Sequence, residues 1–273
     1  MDNVLEHITR IRPLAFLGLL VCLLAYEAVA PAWQNYQQSR GGRIWHGLRN
    51  LLLGAVNSVL VATLFVGLWM AAIEASAGAG IGLLRLFELP ETLRAIIAIV
   101  VLDFWTYLWH RMNHSVPFFW RFHRVHHSDT QMDVTTATRF HAGEIVMSSL
   151  LRIPVLCMLG PEVWHLALYE LMMFSVVQFH HANIRIPAVI DRALRILIVT
   201  PAMHRVHHSR QFDHQRSNYT SFLSVWDRIF GTYVIVPAVE TLHLGVDGIG
   251  DERLLGIITA PATLTTSGSG QMP

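Results

Sequence analysis

The chain has 273 residues, of which 53% are hydrophobic and only 14% are charged, and its formal net charge is +1. A soluble globular chain carries about 25% charged residues, so this deficit indicates a bilayer rather than water as the main solvent. The small net charge lacks the strongly basic balance that is typical of nucleic-acid binding, and we expect no nucleic-acid partner.

The first third of the chain contains two apolar stretches that are long enough to cross a bilayer. A helix needs about 20 mainly apolar residues for this, and residues 14–33 and 48–73 both satisfy the requirement. A Gly-rich loop at 75–82 and a short surface or re-entrant segment at 83–89 follow. We therefore predict an N-terminal transmembrane region over residues 1–94.

Apolar and polar segments alternate in the remainder of the chain. Residues 93–109 form a third predicted span, and polar blocks follow at 110–144 and 179–233. Between these blocks, 145–179 has the length of two short, tilted helices that are broken at Pro161. The pattern predicts an all-α integral membrane bundle of about four or five transmembrane or re-entrant helices.

Three histidine motifs lie in the polar blocks and contain eight of the 16 histidines. A further adjacent pair lies at the end of the last apolar stretch. The motifs are His110-x3-His114, His123-x2-His126-His127 and His204-x2-His207-His208, and the pair is His180-His181.

The motif spacing has a physical reason. Helical residues three or four positions apart share a face, so His110 and His114 can approach one metal. The adjacent residues His126 and His127 project about 100° apart and can serve two different metals. This number of imidazoles exceeds the four ligands of a closed structural zinc site. The sequence therefore predicts a histidine-rich site for two metals, with a position left open for oxygen.

The histidine motifs also constrain topology. If both polar blocks build one site, they lie on the same side of the membrane, and 145–179 must enter the bilayer and return. Eleven arginines fall in the two blocks, and arginine excess marks the cytoplasmic side. We therefore expect a cytoplasmic helical cap that carries the dimetal site.

Several polar residues near the motifs are further candidates. Asp103 lies seven residues before His110 on the same helix face, where it is either a partner for a ligating ring N–H or an ordinary interfacial acid. Glu144 and His141 form either a ligand or ligand-supporting pair, or merely a helix start. Asn183 is a candidate for orienting water or substrate.

The three motifs and their flanks resemble the fatty acid hydroxylase superfamily, whose members include sterol desaturases, alkylglycerol monooxygenases and carotene hydroxylases. The segments that carry the resemblance beyond the motifs begin at Asp103-Phe-Trp, Arg139-Phe-His141, His181-Ala-Asn183 and Trp226-Asp-Arg. We accordingly predict a catalytic domain over residues 95–236, followed by a C-terminal tail, 237–273, with a disordered end.

The resemblance implies iron as the metal and the eight motif histidines as its ligands. It also implies a ninth ligand before the last motif, for which His181 matches better than His180 because it precedes Ala-Asn-Ile-Arg. His141 and His180 are the candidates for a tenth ligand.

The resemblance further implies two iron ions, O2 as co-substrate and a lipid substrate, such as a sterol, a fatty acyl chain or an ether lipid. The expected reaction is hydroxylation or desaturation of a C–H bond. We expect a separate electron donor of the cytochrome b5, ferredoxin or pterin type. The alternatives from other classes are a divalent-metal transporter, which needs polar ligands at mid-membrane depth, and a haem-binding membrane protein.

Overall fold

The computed structural model describes residues 2–33, 40–237, 239–246 and 254–262. Within these ranges the chain is helical, and β-structure is limited to isolated bridges, which confirms the all-α prediction. The helices are α1 (Asp2–Val29), α2 (Arg40–Leu64), α3 (Val66–Gly78), α4 (Glu91–Ser115), α5 (Pro117–His127), α6 (Ala142–Leu159), α7 (Val163–His181), α8 (Ala188–Leu194), α9 (Pro201–His207), α10 (Phe212–Gln215), α11 (Val225–Ile229) and α12 (Leu254–Thr259).

Five helical segments in the described part of the chain are long and apolar enough to cross a bilayer. No more than a third of the most apolar window of each segment is buried inside the protein, as expected for helices that face lipid. The protein is therefore an integral membrane protein. The segments are Leu5–Val29, Gly42–Leu64, Val66–Arg85, Glu91–Ser115 and Ala142–Leu159.

The second predicted span differs from the prediction because the helix is interrupted at Phe65, which has φ −116° and ψ −31°. The chain keeps its direction across the break. The Trp69 indole donates to the Ser149 carbonyl, and the Ser76 hydroxyl donates to the Cys157 carbonyl, so α3 runs parallel to α6. We infer that α2 and α3 form one bent crossing. Neither Pro nor Gly stands at position 65 to indicate the break in the sequence.

The predicted break near Pro161 is present as a tight turn between α6 and α7. Gly160 ends α6 with φ 64°, a left-handed conformation that favours glycine. Gly82, from the Gly-rich loop, approaches so closely that a Cβ on it would lie 2.6 Å from the Gly160 Cα. The Gly-rich loop and this turn therefore meet at one end of the bundle.

The main core lies between α3, α4, α6 and α7 and aligns the helices that carry histidines. Its fully buried members include Ala98, Leu102, Leu156 and Tyr169. Because α4 and α7 pack on each other, their C-terminal ends reach the same end of the bundle, opposite the Gly-rich loop. The two polar blocks thus meet on one side, as the sequence predicts.

Part of the predicted C-terminal tail packs on α2 and α5. Ile257 and Ala260 are buried against Leu53 and Val125, and the Arg124 guanidinium donates to the Ala260 carbonyl. The end predicted to be disordered, 263–273, lies outside the described residues.

Candidate metal centre

Nine buried histidines converge in two clusters whose ring nitrogens lie within 4.8 Å of one another inside each cluster. In both clusters the groups are imidazoles alone. Cluster 1 consists of His110, His114, His123, His127 and His207, and cluster 2 consists of His126, His181, His204 and His208.

Four helices supply the histidines of the clusters, at the end of the bundle opposite the Gly-rich loop. The C-terminal ends of α4 and α7 contribute His110, His114 and His181, and the remaining members lie on α5 or at α9. In each adjacent pair, His126-His127 and His207-His208, one residue belongs to each cluster. Neighbouring helical residues project about 100° apart, which explains why one short helix serves both clusters.

Hydrogen bonds fix the orientation of three rings in cluster 1 through Nδ1. His110 donates to the Tyr219 carbonyl over 2.5 Å, and His207 donates to the Ser217 carbonyl over 2.7 Å. His123 Nδ1 lies 2.9 Å from the Glu144 carboxylate. Because a neutral imidazole has one N–H, these bonds leave each Nε2 with a lone pair.

These lone pairs point at one another. His110 Nε2 lies 3.1 Å from His123 Nε2 and 3.0 Å from His207 Nε2. A single ring nitrogen cannot bond two others that carry no proton, so hydrogen bonding does not account for the arrangement. Ligands bound at about 2.1 Å to one octahedral ion would have neighbouring donor atoms about 3.0 Å apart. The donor set therefore fits a metal ion at the centre of cluster 1.

Cluster 2 shows the same convergence of ring nitrogens. His181 Nε2 lies 3.2 Å from His126 Nε2 and 3.1 Å from His204 Nε2. His208 Nε2 lies 3.1 Å from His204 Nε2. The Nδ1 atoms of His181 and His126 face the Val177 and Arg139 carbonyls, whereas those of His204 and His208 have no hydrogen-bond partner. The four rings fit a second metal ion with fewer ligands than the first.

Burial keeps these rings in the form that binds metal. Loss of solvation and the neighbouring imidazoles lower the pKa of His204, His207 and His208, that of His207 to about 3. The same causes hold the pKa of His126 and His127 well below the usual value. Neutral imidazole is the ligating form, so the rings need not lose a proton before a metal binds.

Glu144 is the carboxylate that contacts a cluster. One oxygen accepts from His123 Nδ1 over 2.9 Å and from the Asn113 amide over 3.1 Å, and the other has no hydrogen-bond partner. A carboxylate behind a ligating imidazole fixes its tautomer and raises its basicity. Asn113, which sequence reasoning did not single out, lies one residue before His114.

Asp103 and Asn183 lie apart from the clusters. Asp103 accepts from the Trp226 indole over 2.8 Å and from the Leu223 amide, and so attaches the segment around α11 to α4. Seven residues span about 10.5 Å along a helix, which explains why Asp103 does not reach His110. The Asn183 side chain bonds the backbone of Trp33 after α1.

The two candidates for a tenth ligand differ in position. His141 caps α6: its Nδ1 accepts from the Gly143 amide over 2.9 Å, and its Nε2 faces the Ile258 carbonyl. Both of its ring nitrogens are therefore engaged outside the clusters. His180 lies beside cluster 2, with its ring centroid 3.9 Å from that of His204, and its Nδ1 has no hydrogen-bond partner.

A buried polar network that the sequence did not reveal holds the end of α5. The Arg139 guanidinium, fully buried, donates to the Val125 carbonyl and to the Ser128 hydroxyl. Next to it, His46 Nε2 lies 2.9 Å from an Asp129 carboxylate oxygen. Because this network fixes the residues just after His126 and His127, it positions both clusters.

A cavity of about 940 Å³ extends from the clusters between α1, α3, α4, α6 and α7. Its near end is lined by members of both clusters, including His110 and His181, together with His180. Its walls are mainly apolar, with Phe16 and Met173 among them. The volume is in the range of sites that hold small organic ligands.

Several curated proteins resemble this chain. The ornithine lipid hydroxylase OlsE of Rhizobium tropici is 24% identical over 90% of this chain and 74% of its own length. Human alkylglycerol monooxygenase is 34% identical over 55% of this chain, but the match spans only 33% of that protein. The fatty acid hydroxylase vlmA of a Lecanicillium species is 30% identical over 49% of this chain and 40% of its own length. No solved structure matches the chain.

The family model described as Fatty acid hydroxylase matches residues 95–232, slightly more than half of the chain. This segment contains α4 to α11 and all nine histidines of the two clusters. The chain belongs to the fatty acid hydroxylase family.

Proposed function

We propose that this protein is a membrane-bound, non-haem di-iron oxidoreductase that uses O2 to hydroxylate a C–H bond of a lipid. The observation that carries the proposal is the position of the two imidazole clusters at one end of a mainly apolar cavity within a membrane bundle. Such a site brings a hydrocarbon chain to two metals and excludes bulk water.

The proposed ligands are the five histidines of cluster 1 and the four of cluster 2, with His180 beside cluster 2 as a tenth. Imidazole binds iron, copper, zinc and nickel, and the family favours iron. When bound, iron supplies the chemistry that activates O2 with electrons from a separate donor. The chain supplies ligand geometry, a dry site and alignment of the substrate carbon.

Particular side chains perform these tasks. Glu144 holds the His123 ring, and the carbonyls of Tyr219 and Ser217 hold His110 and His207. Phe140 stacks on His126, with ring centroids 4.4 Å apart and an angle of 7° between the ring planes. This stacking restricts the orientation of the His126 ring where it lines the cavity. His180 is the proposed tenth ligand, because it lines the cavity beside cluster 2.

Hydroxylation is favoured over desaturation because the relatives are named hydroxylases or monooxygenases. An ether lipid, a fatty acyl chain or an amino-acid-containing lipid would fit the cavity by its apolar part. We propose that the metal centre lies on the cytoplasmic face, because eleven arginines fall in the two polar blocks that carry it.

The rival functions have less support. A transporter needs ligands along the membrane, but Glu170 is bonded to two arginines, and Glu27 accepts from the backbone amides of Val134 and Asn183. A haem iron takes its axial ligands from the faces of a flat macrocycle, and ring nitrogens that converge to 3.0–3.2 Å leave no room for such a macrocycle between them.

The test is to express the chain in its host and in a null strain and to compare cellular lipids by mass spectrometry. We expect a lipid that gains one oxygen atom only when the protein is present. The purified protein should hold one iron per cluster. His207→Ala should abolish the product, and His141→Ala, a histidine outside the clusters, should retain it. Folded protein that takes up no ferrous ion would rule out the proposal.

A further inference from the structure

The far part of the cavity contains a cluster of three charged side chains, which we call the charged triad: Arg12, Arg152 and Glu170. The Glu170 carboxylate accepts from Arg12 Nη1 over 2.8 Å and from Arg152 Nη1 over 2.8 Å, one bond to each oxygen. The Arg152 guanidinium also lies over the Trp69 ring, 4.8 Å from its centroid. All four residues line the cavity.

The triad comes from three helices, and of its side chains only that of Arg12 is substantially exposed, at 41%. Glu170 lies eleven residues before His181 on α7, and Arg152 lies eight residues after Glu144 on α6. At a rise of 1.5 Å per residue, these separations place the triad about 12–17 Å from the level of the metal centre. The side chains of Glu170 and Arg152 are only 8% and 15% exposed.

Ionised side chains at this position cost free energy unless they are paired or bind a ligand. Ionisable groups inside a membrane bundle are expensive and are normally paired. A single arginine would neutralise Glu170, whereas two arginines leave the triad with a net charge of +1. A cavity that held only uncharged hydrocarbon would gain nothing from the second guanidinium, whereas an anion that entered the cavity would balance the excess positive charge.

The guanidinium groups have the donors to bind one. A guanidinium carries five N–H donors in a planar fork that matches carboxylate and phosphate. Each arginine of the triad uses Nη1 for Glu170, and both side chains face the cavity. Donors therefore remain for an oxyanion that enters the cavity between them.

We propose that the charged triad binds an anionic group, carboxylate or phosphate, of the lipid substrate and thereby sets which carbon reaches the metal centre. This inference rests on the proposed function. Bond lengths and angles of a saturated chain give about 1.25 Å per methylene, so the separation corresponds to roughly ten to thirteen carbons. The carbon oxidised would lie about that far from the anionic group.

The experiment measures binding without turnover. Iron-loaded protein in nanodiscs is held without oxygen and titrated with radiolabelled palmitate, palmitoyl lysophosphatidate or uncharged methyl palmitate. We expect at least one anionic probe to bind tenfold or more tightly than the methyl ester. Preference for palmitate identifies a carboxylate as the ligand group, and preference for lysophosphatidate identifies a phosphate.

Substitutions connect this preference to the triad. Arg152→Gln should reduce anion binding at least tenfold and change methyl ester binding less than twofold. Arg12→Gln, at a more exposed position, should act in the same direction and serves if Arg152→Gln does not fold. Glu170→Gln removes the competing carboxylate, so anion binding should be retained or tightened. The matched control is Arg10→Gln, two residues from Arg12 with a 78% exposed side chain, and it should change nothing.

Equal binding of the ester and both anions, or full anion binding by both folded arginine variants, would overturn the inference. Loss of anion binding in Glu170→Gln would do so as well. These readouts need no oxidation, so a chain that binds anions but oxidises no lipid contradicts only the proposed function. A chain that oxidises lipid without anion preference contradicts only the role of the triad.

Discussion

The two histidine clusters are built from the same side chain but are supported differently. Cluster 1 has five rings, and carbonyls or a carboxylate hold three of them at Nδ1. Cluster 2 has four rings, and two of them, His204 and His208, have no Nδ1 partner. Each cluster thus contains rings without an Nδ1 partner, since His127 of cluster 1 also has none, and the clear difference is the Glu144 carboxylate behind His123 in cluster 1. A carboxylate raises the basicity of the imidazole that it contacts, so cluster 1 holds the more basic ligand.

The largest expected effect is loss of one metal by substitution of neighbouring histidines. His127→Ala should empty cluster 1, and His126→Ala should empty cluster 2, although the two residues are adjacent. Each variant should retain about half of the bound iron. Its activity should fall more than about 100-fold, because loss of a metal ligand has a larger effect than loss of a residue that only orients the ligand. Iron analysis with Mössbauer spectroscopy would show which cluster survives.

A variant pair in which both substitutions removed all iron even at saturating ferrous ion would contradict the separation into two clusters. A pair in which neither removed any would contradict the ligand assignment itself.

A smaller effect is expected at the carboxylate that supports cluster 1. Glu144→Gln keeps the size of the side chain but removes the charge behind His123. We expect metal affinity or activity to fall about 10–100-fold, as for other outer partners of metal ligands. Asp103→Asn, a buried carboxylate that contacts no cluster, is the matched control. An equal loss of iron affinity in both variants would show that general destabilisation is responsible.

Metal removal should affect stability, because lone pairs that face one another at 3.0–3.2 Å repel when no cation lies between them. A ligand at a hundredfold excess over its Kd stabilises the folded state by about 2.7 kcal/mol. We expect a chelator to lower the thermal midpoint in detergent, and ferrous ion to restore it. His126→Ala, with one cluster left, should show about half of the shift.

The smallest effect is expected at His141, whose ring caps α6. His141→Ala should cost about 1 kcal/mol through loss of the cap, with bound iron unchanged. Thermal unfolding together with iron analysis measures both quantities. A loss of iron in the folded variant would bring His141 back as a ligand.

The sequence predicted the features that depend on local spacing. Helical periodicity placed His110 and His114 on one face, and an apolar stretch with a Gly-Pro break predicted the α6–α7 hairpin. The same rule placed Asp103 on the helix face of His110. A residue two helical turns away is, however, too distant for a hydrogen bond to the His110 ring. The sequence offered Glu144 as a ligand-supporting residue but did not indicate its partner, because His123 lies 21 residues away and meets it only through tertiary packing.

The charged triad was likewise not predictable from the sequence. Arg12, Arg152 and Glu170 lie on three helices, and the sequence places none of them near another. The break at Phe65 was also not predictable, since no proline lies near it and the nearest glycine, Gly67, is two residues away.

The sharing of α5 and α9 between the clusters has a consequence for how metals enter. Consecutive Cα atoms are 3.8 Å apart, so the backbone of each adjacent pair ties one cluster to the other. A first ion that orders these helices has already placed ligands for the second. We therefore expect cooperative loading, with a sigmoidal iron isotherm and few singly occupied chains in native mass spectra. The peptide link between neighbouring histidines would act as the coupling element of a two-site binding equilibrium.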